Sequence, residues 1–317
     1  MYFPYLRGRQ YELLALRELA TNNLLGNHIT PIIEPVKLSP TLVNTMADFI
    51  RVGHPIAIIR NPSVGTFMSD WMDVQGETKE AGYKQRFANQ YRNPTIIKSL
   101  IMQKNAKSLL EYWGQQGVNK EDLLVISTNR DYLNFYESAF ESTIPRYVLM
   151  PDESVFRRKV RHHKVLLDDK FEKQDRNADY QDIDDEFFSD DHLYYAEDGF
   201  VGFSDYSVVG NEYLEAGFAP YAVAIHIVYF ATNGSLRIKH FVSDSNEDIT
   251  NPALKFYEAV SKLAAWYNSE PNPVKLTTGL KVFLQHYEQQ SYPGLGTVKK
   301  LSIMHHLELM GKYLNEV

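Results

Sequence analysis

Short apolar runs, most of them closing on a polar residue and separated by helical patterns, recur through this chain and restrict it to an alternating α/β architecture. ITPIIEPV reaches Glu34, PIAII reaches Arg60 and Asn61, and further runs occupy residues 123–127, 146–150, 164–168, 200–204 and 221–230. Residues 95–102 read either as another strand or as the start of the next helix; counted with them, the strands number eight. Helix-separated strands imply a parallel sheet, and eight units imply closure into a (β/α)8 barrel. An open doubly wound sheet is the competing fold.

Helical spacing marks residues 11–20, 77–91, 105–115, 131–141 and 153–161, and Ser39-Pro40 opens a helix to about residue 50 with serine at the cap and proline in the first turn. Residues 63–75 carry no periodicity and are expected to be an irregular loop. Past the eighth run, Thr232-Asn233-Gly234-Ser235 predicts a hairpin turn into an antiparallel partner at 236–242. Helices follow at 251–268, 275–290 and 297–314. The expected organisation is therefore a barrel over 1–245 and a helical extension over 246–317 packed on it.

The stretch from 164 to 210 organises the functional reading. An apolar run ends on Asp168 and Asp169, a long acidic insertion occupies 169–198, and a second run ends in Ser204-Asp205-Tyr206. Residues 168–198 hold thirteen Asp/Glu against three Lys/Arg, a net charge of −10 in a chain whose total is −7, so the remainder is +3. Immediately upstream, RRKVRHHK places Arg157, Arg158, Lys159, Arg161 and Lys164 within eight residues. Such a run either contacts phosphate backbones or forms the solvated face of a helix. The aromatics Phe187, Phe188, Tyr194 and Tyr195 argue against a purely disordered insertion, leaving a lid, a decoy surface resembling nucleic acid, or a loop folded on the barrel.

The chain contains no cysteine, which excludes disulfides and thiolate metal sites. Its longest unbroken apolar run after the first residues is 221–225, and even extended through His226 to 230 it is about half what a bilayer-spanning helix needs. The opening MYFPYLRGRQ has an arginine where a secretory apolar region would stand, so no signal peptide and a cytoplasmic location are expected.

The N-terminal YLRGRQYELLALREL, followed closely by ITPIIEPV, resembles the opening of the phage- and mobile-element-associated Beta protein family: a basic-Gly-basic segment, an amphipathic helix and a P-[IL]-[IL]-E strand. GFSDYSVVG and APYAVAIHIVYF resemble a bacterial subgroup of that family. The resemblance implies a TIM-barrel fold and, by genomic context, a role in bacterial defence or phage–host conflict. It transfers no catalytic residues.

In a barrel the functional side chains gather at the carboxyl ends of the strands. That rule selects Glu34, Arg60, Asn61, Asn129, Asp152, Asp168, Asp169, Ser204, Asp205 and His226. Glu34, Asp168, Asp169 and Asp205 would repel one another around one mouth unless a hard cation such as Mg2+, Mn2+ or Ca2+ neutralised them. Such an ion would polarise a phosphoryl oxygen and activate water, with Asp168, Asp205, Glu34 and Arg60 as the catalytic group and Arg60 clamping phosphate. Ser204, Ser207 and Gly210 would line a phosphate loop after the late strands. The alternative for the Asp and Asn residues is helix capping. His226 reads as a satisfied core histidine or a mouth residue. No GxSxG surrounds Ser204, and Gly294–Lys300 lacks P-loop spacing, so no nucleotide-cofactor motif is present. Two functions follow: a metal-dependent hydrolase of a phosphodiester or nucleotide, or a catalytically silent barrel that binds a co-encoded nuclease or toxin through its acidic insertion or C-terminal helices.

Overall fold

The computed structural model describes residues 1–74, 76, 78–214, 220–269 and 271–316. Its contacts divide the chain into two compact units. The first comprises Met1–Asn22, Asn27–Asp168 and Tyr194–Asp205; the second comprises Asn23–Gly26, Asp169–Leu193 and Tyr206–Val317.

The first unit is built on the strands β1 (Tyr5–Leu6), β2 (Ile32–Ile33), β3 (Ile56–Ile59), β4 (Ile96–Ile101), β5 (Leu124–Ile126), β6 (Tyr147–Met150) and β7 (Lys164–Leu167). Past β8 (Asp185–Ser189), which joins another sheet, β9 (Gly202–Ser204) completes them. All eight pair in parallel in the order β1-β2-β3-β4-β5-β6-β7-β9. The sheet curls back on itself: Tyr2 bridges Phe203, Phe3 N–H donates to Phe203 O at 2.9 Å, and Tyr5 N–H donates to Asp205 O at 2.8 Å. The result is a TIM-like barrel. Every residue of β2, β3 and β5 is buried, as expected where a parallel strand is covered on both faces. Gly202 sits where the closing strand meets the chain start, and a Cβ there would lie 2.7 Å from Met1 O and 2.8 Å from the Phe3 ring.

Two expectations change. The count of eight is right, but its membership is not. The first barrel strand is the two-residue β1, too short to show a period, and residues 221–230 do not join the barrel. Instead β10 (Ala224–Phe230) pairs antiparallel with β11 (Leu236–Val242), which pairs antiparallel with β8. The expected loop at 63–75 contains a helix, whose aromatic spacing (Phe67, Trp71) packs both rings on Phe87.

Helices between the barrel strands are α1 (Gln10–Thr21), α2 (Pro40–Val52), α3 (Phe67–Asp73), α4 (Lys79–Gln90), α5 (Ala106–Gln115), α6 (Leu133–Ala139) and α7 (Ser154–Lys159). Ser39 caps α2 as its position implied, accepting from Leu42 N–H at 3.2 Å. Gln75 and Glu77, at the expected loop end and helix start, lie outside the described residues.

The second unit combines the β10-β11-β8 sheet with α8 (Asp191–Tyr194, its last residue in the first unit), α9 (Pro252–Tyr267), α10 (Thr278–Glu288) and α11 (Leu295–Glu316). Part of the acidic insertion thus becomes a strand. Part of its charge is met across the ladder, where Lys239 pairs with Asp184 at 2.7 Å and Arg237 with Asp185, and His240 Nε2 hydrogen-bonds Glu186 at 3.0 Å. Among the described residues no helix is long and apolar enough to cross a membrane.

Candidate functional site

Four adjacent barrel strands end in charge: β7 in Asp168, β9 in Asp205, β1 in Arg7 and β2 in Glu34. Glu34 is fully buried. Its Oε2 accepts from Tyr5 Oη at 2.7 Å and from Arg7 Nη1, while Oε1 accepts from Ser63 N–H and Ser63 Oγ, both at 2.6 Å. Four donors on two carboxylate oxygens use about all the acceptor positions such a group has. Glu34 therefore ties β1, β2 and the loop after β3 together, and it does not fit the role of a metal ligand.

Asp205 is 3% exposed, and its Oδ1 accepts from Tyr2 Oη at 2.7 Å. Burial, and then the adjacent Asp205 charge, push the Tyr2 phenol well above its ordinary range, so it stays a donor. Asp168 is exposed, and its N–H donates to Ser204 O at 3.1 Å. Leu167 is in register with Ser204, so one step further sets Asp168 opposite Asp205, and in-register residues of parallel strands face the same side.

The remaining expected ligand, Asp169, belongs to the second unit, where its carboxylate accepts from Phe171 N–H at 3.3 Å and Asn211 N–H at 2.8 Å. Among the described residues no three His, Asp or Glu side chains group as metal ligands would. The hydroxyls expected to bind phosphate are engaged within the protein. Ser204 Oγ donates to Phe3 O at 2.6 Å, and Ser207, buried at a φ of 52°, meets His306 Nδ1 at 2.9 Å. Gly210 takes a φ of 75° beside Asp169 and Phe171.

Arg60 follows β3, but its guanidinium lies 4.1 Å from the Trp71 ring centroid and lines a cavity that includes none of the mouth carboxylates. The Arg60 guanidinium is thus engaged on Trp71 in that cavity. Asn61 is buried and bridges β3 to β4, accepting from Ile101 N–H and donating to Ile101 O, both at 2.9 Å. Asn129 caps a turn by accepting from Asp131 N–H at 2.9 Å, and Asp152 pairs with Arg157. His226 lies in the second unit with its Nδ1 2.8 Å from His240 Nδ1, against the rings of Phe171 and Tyr180. Burial and the neighbouring His240 hold its pKa well below the usual value, so it is neutral.

The basic run is largely occupied. Arg157 also donates to Asp198 O at 2.9 Å, Lys159 pairs with Glu137 at 2.5 Å, and Lys164 lies 5.3 Å from the Phe200 ring centroid. Arg158 and Arg161 are exposed. Sequence reasoning missed Tyr2, Tyr5, Arg7 and Ser63, because none belongs to a run long enough to show a period. No family model, no curated protein and no solved structure matches the chain.

Proposed function

We propose that this TIM-like barrel hydrolyses a phosphoester at the mouth formed by Asp168 and Asp205, in the phage–host conflict setting that the resemblance to the Beta protein family implies. The observation that carries this reading is the register of β7 and β9, which sets the two aspartates side by side at the carboxyl ends of neighbouring strands. Two carboxylates suit Mg2+ or Mn2+, which keep several waters and take the remaining ligands from substrate phosphate. The ion would supply charge neutralisation at the phosphoryl oxygens. Asp205, oriented by the Tyr2 hydroxyl, takes the proton of the attacking water as its oxygen bonds to phosphorus. The P–O bond to the leaving alkoxide breaks, and solvent protonates that oxygen. Glu34 and Arg7 hold the rim in place.

Thermal unfolding with Mg2+ or Mn2+ titrated in, beside the Asp168→Asn/Asp205→Asn variant, tests the ion. Cleavage of bis-p-nitrophenyl phosphate tests the chemistry. A midpoint rise and cleavage lost together in the variant support the proposal; an unchanged midpoint in wild type at saturating metal removes it.

The second reading, a silent barrel that binds a co-encoded protein, is favoured by one observation. Strand β8 is an edge of its sheet, and its Phe187 is 52% exposed among carboxylates. An exposed edge strand with an aromatic anchor suits strand addition by a partner.

A further inference from the structure

A cavity of about 970 Å³ lies within the first unit, on the helix-covered face of β4 between α3, α4 and α5. That volume is at the upper end of what small-molecule sites occupy. Its wall is unusual for the space between barrel helices, which apolar side chains normally fill. Four cationic side chains line it, Arg60, Arg92, Lys98 and Arg146, against the single carboxylate of Asp122.

Arg60 and Lys98 are the informative pair. Lys98 is the charged residue of β4 (IIKSLI) and is half-buried. Burial lowers its pKa from the usual lysine value, and burial likewise lowers that of Arg60. Among the described residues neither side chain forms an ion pair, and the polar contact of Arg60 is the Met68 thioether at 3.5 Å. A guanidinium carries five donors, and a thioether is a weak acceptor. Two partly desolvated cations turned to one cavity, with Asp122 as the one carboxylate acting on Lys98, leave an excess of positive charge that an anion would complete.

Aromatic rings supply the other half of the site. Trp71 is held by the Arg60 guanidinium on its face, and Tyr91 is pinned by its hydroxyl donating to Ile58 O at 3.0 Å. Tyr112 stands at the rim, 56% exposed, and among the described residues it packs against no other ring. A phosphate answers the cations and a planar base answers the rings, since base–aromatic stacking and Arg–phosphate forks are the two contacts these side chains make best.

We propose that the cavity walled by Arg60, Lys98, Trp71 and Tyr112 is a binding site for a nucleoside monophosphate, with Arg60 and Lys98 on the phosphate and Tyr112 stacked on the base. This site is separate from the barrel mouth and stands whether or not the mouth is hydrolytic.

Isothermal titration of the full chain with AMP, adenosine and inorganic phosphate tests it. AMP is expected to bind at least about tenfold more tightly than adenosine, the difference expected of a charge-assisted phosphate contact. Arg60→Gln and Lys98→Met should each weaken AMP about tenfold while leaving adenosine unchanged, and Tyr112→Ala should weaken both AMP and adenosine. Tyr112 is at the surface, so that variant reports on binding even if Arg60→Gln unfolds. Asp168→Asn/Asp205→Asn should bind AMP as wild type does, which separates this site from the mouth. Equal affinity for AMP and adenosine, or no AMP binding up to about 5 mM, overturns the proposal.

Discussion

Tyr2 Oη donates a 2.7 Å hydrogen bond to Asp205 Oδ1, joining residues 203 positions apart. This bond fastens the first residues to the last barrel strand, beside the main-chain bonds of Phe3 and Tyr5 that close the sheet. Tyr2→Phe should lower stability by about 1–3 kcal/mol, because it leaves a buried carboxylate short of a donor. Urea unfolding of the variant gives the number; a loss under a few tenths would mean that water replaces the phenol without cost.

Glu34→Gln should cost more. The side chain is buried with Arg7 as its cationic partner, and breaking such a pair typically costs about 3–5 kcal/mol. Any midpoint rise with Mg2+ should survive in this variant, since Glu34 is spent on Tyr5, Arg7 and Ser63. Loss of the metal response with an intact fold would return Glu34 to the ligand set.

Gly202→Ala tests barrel closure. The added Cβ would press on Met1 O at 2.7 Å and the Phe3 ring at 2.8 Å, and overpacking of this kind costs about 1–3 kcal/mol. Limited proteolysis should detect earlier release of the first residues.

Acid should destabilise the second unit through His305 and His306. Burial holds their pKa values down to about 4 and about 3, against 6.5 for a free histidine. His305 accepts from Thr277 Oγ1 at 2.7 Å and donates to Val228 O at 2.7 Å, a neutral arrangement. The unfolded chain therefore binds more protons below pH 6.5, so stability falls from about pH 6.5 downward until the folded pKa values are passed. Urea midpoints between pH 7 and pH 4 should fall less steeply in His305→Gln than in wild type. Parallel slopes would reject the assignment.

The sequence alone determined the alternating architecture, the parallel sheet and the strand-end positions of Glu34, Asp168 and Asp205, because apolar period and the polar residue closing those runs are local properties; the count of eight agreed only because the missed β1 was offset by residues 221–230, which pair elsewhere. The capping roles of Ser39 and Asn129 were legible for the same reason. Tertiary structure decided which eight segments close the barrel. A two-residue strand such as β1 has no period to read, and β10 and a barrel strand look alike until their hydrogen-bond partners are known. Tertiary structure also decided what the charged residues do. Whether Glu34 is free or saturated depends on Tyr5, Arg7 and Ser63, and where the Arg60 guanidinium lies depends on Trp71. These neighbours are distant in sequence, and a carboxylate or guanidinium takes its role from the donors, acceptors and solvent that the fold places around it.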